Sequence, residues 1–170
     1  MPPAALKSVC LNFKISYSRE AIQTMTPAEQ KINHFLVDVF NDVLHLEEDS
    51  IAKGPYKNLS VSEMHVLEAV QNGERAETMS ELAARLRVTA STLTVAVKTL
   101  EQKGFLLRLR DSADKRKVTV QLTDRAEGAL RCHAAFHKQL IEQVSARLTE
   151  QQMEALANML STLHTFFTAL

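Results

Sequence analysis

The sequence predicts a mainly α chain with a small β-hairpin wing, on three observations. Apolar residues recur at steps of three and four through most of the chain. Only residues 105–110 and 117–122 read as β-like runs, and the polar turn between them carries Asp111, Asp114, Lys115 and Arg116. Just ahead of this hairpin stand two helical segments joined by the turn Arg87-Val88-Thr89. Short helix, turn, second helix and basic hairpin is the order of a winged helix-turn-helix, an architecture suited to duplex DNA.

Each element has a local reason. Residues 1–24 hold Pro2, Pro3 and scattered Ser and Lys without periodicity, and read as a flexible N-terminal extension. Thr26-Pro27 then starts a helix, Thr as cap and Pro at the first helical position. Ile32, Phe35, Leu36, Val39, Phe40, Val43 and Leu44 give it one strongly apolar face, and it is expected to end near Glu48. After Lys53-Gly54-Pro55, Ser60 or Ser62 caps a second helix with Met64, Val66, Leu67 and Val70 as its apolar positions.

Thr78 with Glu81 forms a capping box for the helix that holds Leu82, Ala83 and Leu86 inward. Thr89 caps the next helix, whose inward positions are Ala90, Leu93, Val97 and Leu100. Its outward side carries Ser91, Thr92, Thr94, Val95 and Lys98, short groups that suit a groove about 12 Å wide. From Arg85 to Lys117 nine cations face three anions, although the whole chain is neutral. A local surplus of that kind is what phosphate contact requires.

Beyond the hairpin, Thr123 opens a long helix with Ala126, Leu130, His133, Phe136, His137, Leu140, Ile141 and Val144 along one side. A last helix capped near Thr149 places Met153, Leu156, Leu160, Leu163, Phe167 and Leu170 at coiled-coil-like spacing. Two terminal amphipathic helices predict a homodimer, in which two recognition helices about 34 Å apart read one palindromic operator. The domain is therefore expected over 25–170, with dimerisation helices in 25–59 and 147–170, the winged helix-turn-helix in 60–122 and a connecting helix in 123–146.

Composition narrows the function classes. No apolar run approaches the roughly 20 residues of a membrane span and the first two dozen residues lack a signal-peptide core, so a cytoplasmic protein without a membrane partner is expected. Cys10 and Cys132 are isolated, without zinc-knuckle or disulfide spacing. An enzyme is not indicated: there is no glycine-rich phosphate loop, no HExxH and no Gly-x-Ser-x-Gly.

Residues 25–170 resemble the MarR family of bacterial transcription regulators, most specifically at Leu100-Glu-Gln-Lys-Gly104, Arg108 to Arg110, Asp111-Ser-Ala-Asp-Lys-Arg116 and Leu122-Thr123. The resemblance implies that Arg108, Arg110, Lys115 and Arg116 face DNA from the wing, with Asp114 orienting Arg116. Within the family, Lys31-Ile-Asn-His-Phe-Leu36, Val39-Phe-Asn-Asp-Val-Leu44, Glu47-Glu48, Ser62-Glu-Met-His-Val66 and Phe136-His-Lys138 look most like the repressors of fatty-acid-synthesis genes. That likeness implies long-chain acyl-acyl carrier protein as a corepressor, its acyl chain entering an apolar space lined by Phe35, Val39, Phe40, Val43, Met64 and Phe136. The same six also read as ordinary core.

Two alternatives stand beside it. Glu47, His65, His133 and His137 resemble the ligand positions of zinc-sensing members and offer a tetrahedral donor set; they also read as a polar network of an imidazole hydrogen-bonded to Glu47. The effector is otherwise another small apolar ligand.

Overall fold

The computed structural model describes residues 25–73, 77–110 and 118–169. The expected extension over 1–24 lies outside them, as do Leu170 and Asp111, Asp114, Lys115, Arg116 and Lys117. The chain divides into two compact units, one ending at Leu130 and one running Arg131–Leu170.

In the first unit, α1 (Pro27–His34) passes through a π-helical stretch (Phe35–Val39) into α2 (Phe40–Lys53). Thr26 and Glu29 form the capping box that starts it. The helix does not stop near Glu48. It continues to Lys53, because Ile51 adds a buried position one turn beyond buried Glu47, Lys53 pairs with Asp49 at 2.7 Å, and the first breaker is Gly54. The regular periodicity of the apolar positions gave no sign of the π-helical stretch, whose extra residue per turn shifts the face that follows.

Helix α3 (Val61–Gln71) is capped by Ser60, whose side chain accepts from the Glu63 amide. Helix α4 (Met79–Arg85) starts at the Thr78–Glu81 capping box, and α5 (Ala90–Gln102) starts at Thr89. Both end in the same way. After α4 the Val88 amide reaches Ala83 O at 3.0 Å and the Arg87 amide reaches Ala84 O at 3.1 Å; after α5, Phe105 reaches Leu100 O at 2.9 Å and Gly104 reaches Glu101 O at 3.0 Å. These are paired Schellman closures, which need a left-handed residue just past the helix. Gly104 adopts it at φ +77°, and Arg87 adopts it at φ +53° without a glycine's freedom.

Strands β1 (Leu106–Arg110) and β2 (Val118–Leu122) pair antiparallel, with Arg108 opposite Val120, and an isolated bridge joins Thr119 to Thr78 at the start of α4. The core of this unit comprises Ile51, Leu59, Met64, Leu67, Leu82, Leu93, Val97, Leu100, Phe105, Leu106 and Val120, closed by Ala126, Ala129 and Leu130 from the first turns of α6 (Asp124–Ser145). Ala90, expected inward, is exposed: it sits one position after the cap, where α5 has not yet reached the core.

The second unit holds the rest of α6 and α7 (Glu150–Thr168), which begins at a Thr149–Gln152 capping box. No residue of α7 is buried; Met153, Leu156 and Leu163 are half-buried, whereas Met159, Leu160, Phe166 and Phe167 are exposed.

Candidate nucleic-acid interface

The outward face of α5 is built by the burial of its other side. Leu93, Val97 and Leu100 are at most 1% exposed, which turns Ser91, Thr92, Thr94, Val95 and Lys98 to solvent. Thr89 Oγ1 caps the helix by accepting from the Thr92 amide at 3.1 Å and lies 2.9 Å from Ser91 Oγ and 2.7 Å from Thr92 Oγ1. The Thr94 hydroxyl donates to Ala90 O at 2.7 Å, and the Thr99 hydroxyl to Val95 O at 3.0 Å. A three-residue hydroxyl cluster therefore sits at the start of the helix, with apolar surface and Lys98 further along.

The helix is held at its C-terminus and from the wing. At its C-terminus Lys103 Nζ stands 2.7 Å from both carboxylate oxygens of Glu63 and 2.6 Å from Asn58 O, linking α5 to the start of α3. Arg125 donates to Lys103 O at 3.1 Å and lays its guanidinium 4.7 Å from the centre of the Phe105 ring. From the wing, Arg108 reaches back: Nη2 donates to Thr94 O at 3.2 Å, and Nε lies 3.1 Å from Glu101 Oε2 in an approach poorly aligned for a hydrogen bond.

Among the cations of this stretch whose side chains are described, Arg85 pairs with Glu77, Lys103 with Glu63 and Arg108 with Glu101. Lys98 and Arg87 are exposed. The Arg110 side chain, Asp114, Lys115 and Arg116 lie outside the described residues. Nothing in the sequence singles out Arg87 among these cations beyond its place in the turn, two residues ahead of a cap.

The residues expected around an acyl chain do not form one enclosed space within the first unit. Met64 is 2% exposed and belongs to its core, while Phe35, Val39 and Phe40 are exposed and Val43 is half-buried. Phe136 lies in the second unit, half-buried and stacked near His133 at a ring separation of 6.2 Å. An open groove of about 350 Å³ in the first unit is instead lined by Val70, Leu82, Val120, Leu122 and neighbours, with none of the six.

The four expected zinc-type ligands are described as two pairs. In the first unit His65 Nε2 is 3.2 Å from Glu47 Oε1; in the second His137 Nε2 is 3.0 Å from His133 Nε2. Two nitrogens on one tetrahedral zinc stand about 3.3 Å apart, given zinc–nitrogen bonds near 2.0–2.1 Å, so each pair has a spacing that fits one edge of such a site.

The MarR family model matches residues 59–118, which spans α3 to the wing. The chain is 32% identical to the transcriptional regulator AdcR of Streptococcus pneumoniae over 108 residues, 62% of this chain and 73% of that protein. The chain belongs to the MarR family. It is also similar to the S. pneumoniae FabT solved in complex with DNA, with a TM-score of 0.77 and 30% identity over 83% of this chain and 98% of that one. The repressor YetL of Bacillus subtilis is 30% identical over 49% of this chain and 50% of its own length. As a MarR-family transcription regulator the protein binds DNA and is not an enzyme. No described helix is long and apolar enough to cross a membrane.

Proposed function

We propose that this protein is a homodimeric repressor of fatty-acid-synthesis genes whose binding to a palindromic operator is enhanced by long-chain acyl-acyl carrier protein. The observation that carries this reading is the likeness to FabT over nearly the whole of that chain. Two unburied apolar faces support the dimer: Ile32, Phe35, Leu36 and Phe40 on α1, α2 and the π-helical stretch between them, and Met159, Leu160, Phe166 and Phe167 on α7. Faces of this kind are the usual surface of subunit association.

The effector acts by preferring the conformation whose recognition helices match successive turns of the duplex. Its acyl chain lies against Phe35, Val39, Phe40 and Val43. Operator affinity, titrated with and without long-chain acyl-acyl carrier protein, rises with the acylated carrier, and Val39→Glu removes that response by polarising the apolar face. An operator affinity indifferent to the acylated carrier overturns this reading.

A zinc-responsive regulator using Glu47, His65, His133 and His137 is the second reading, favoured by the 3.0 Å convergence of the His133 and His137 Nε2 atoms. In that case zinc changes operator affinity, chelation reverses it, and His133→Ala or His137→Ala removes the response.

A further inference from the structure

We infer that the recognition helix selects its operator through the C5-methyl group of a thymine packed on Val95, rather than through bidentate hydrogen bonds to purines. The inference rests on the DNA-binding reading and gives it a base chemistry.

Val95 is 66% exposed, the most exposed large apolar side chain among the described residues. It lies midway along α5, on the face that also carries Ser91 one turn before it and Lys98 one turn after. Bidentate base reading uses Arg or Lys for guanine and Asn or Gln for adenine, and a carboxylate reads cytosine. Among the outward positions of α5 from Ser91 to Lys98, Lys98 alone is of these types. Glu101 is engaged by Arg108.

Most hydroxyl protons on this face are also committed. Thr94 gives its proton to Ala90 O, and the contacts of Thr89 Oγ1 with Ser91 Oγ and Thr92 Oγ1 take up two of the three hydroxyl protons at the cap. With its hydroxyl turned back to the helix, Thr94 leaves its methyl group available beside Val95. The surface offered to a major groove is therefore apolar at its centre and cationic at its far end. In the major groove thymine is the base that presents a methyl group, and an apolar side chain is the group that reads it. Lys98 then anchors a phosphate, which positions the helix without specifying sequence.

The test uses the full chain and a duplex that it enriches from a randomised pool. Each thymine is replaced singly by deoxyuridine, which removes the methyl and leaves the base pair intact. One position in each half-site loses about fourfold in affinity, the worth of burying one methyl-sized group. Val95→Ala, which truncates an exposed side chain, binds the thymine and deoxyuridine duplexes alike. Tolerance of deoxyuridine at every position overturns the inference, as does undiminished thymine preference in Val95→Ala. Failure to enrich any duplex overturns the DNA-binding reading together with it.

Discussion

Arg108 Nε on the first wing strand lies 3.1 Å from Glu101 Oε2 on the recognition helix, and the same guanidinium donates to Thr94 O. A side chain that the family resemblance assigns to DNA therefore also links the wing to the recognition helix. Arg108→Ala is expected to lower operator affinity several-fold by loosening this joint. The salt slope of binding stays unchanged, because no phosphate contact is lost. With both partners partly exposed, the stability cost is no more than about 1 kcal/mol. Titrations at several salt concentrations check this, and a slope smaller by about one unit places Arg108 on a phosphate instead.

Arg87 holds a left-handed backbone at φ +53° in the turn before the recognition helix. A non-glycine residue there costs roughly 1–2 kcal/mol. Arg87→Gly relieves the strain and is expected to stabilise the fold by up to about 1 kcal/mol, less whatever the freer glycine costs in the unfolded chain. It also removes an exposed cation beside the recognition helix, so operator affinity falls while the melting temperature rises. Thermal melting and a binding titration on the same sample test the opposed signs.

Glu63 has two structural roles. Its carboxylate accepts from the Ser60 amide at 2.8 Å to complete a helix cap and receives Lys103 Nζ on both oxygens. Glu63→Ala removes both and leaves a partly buried ammonium with fewer acceptors, at an expected cost of about 2 kcal/mol. Glu63→Gln keeps the cap and loses the charge, so it falls between wild type and alanine in a urea titration.

Truncation after Leu148 removes α7 and its exposed Met159, Leu160, Phe166 and Phe167. The expected product is a monomer by light scattering, with weak operator binding, since a single head engages only half of a palindrome. A truncated chain that remains dimeric assigns subunit association to α1 and α2 alone.

What the sequence made legible is the local chemistry. Thr26, Ser60, Thr78, Thr89 and Thr149 are readable as caps because a cap hydrogen bond spans only a few residues. Leu93, Val97 and Leu100 are readable as the inner face of α5 because periodicity states which residues share a side. What stayed hidden depends on distant partners. Nothing near Arg108 announces Glu101, nothing near Lys103 announces Glu63, and the Thr78–Thr119 bridge joins residues far apart in the chain. The left-handed Arg87 was hidden for the opposite reason: glycine usually advertises that conformation, and here it is absent. For the apolar first helix, periodicity identifies the face without saying what covers it, and Met64, which the resemblance places with Phe35 and Phe40, packs into the core.

Sequence-specific binding of duplex DNA by α5 and the wing underlies every functional expectation above. The most direct measurement is a fluorescence-anisotropy titration of the full chain against its enriched duplex and a scrambled duplex of equal length, repeated over a range of salt. The expected result is an enriched duplex bound at least about a thousandfold tighter, with affinity for both falling linearly in log salt and Lys98→Ala lowering the slope by about one. Equal affinity for the two duplexes, or binding that ignores salt, contradicts sequence-specific recognition by this face.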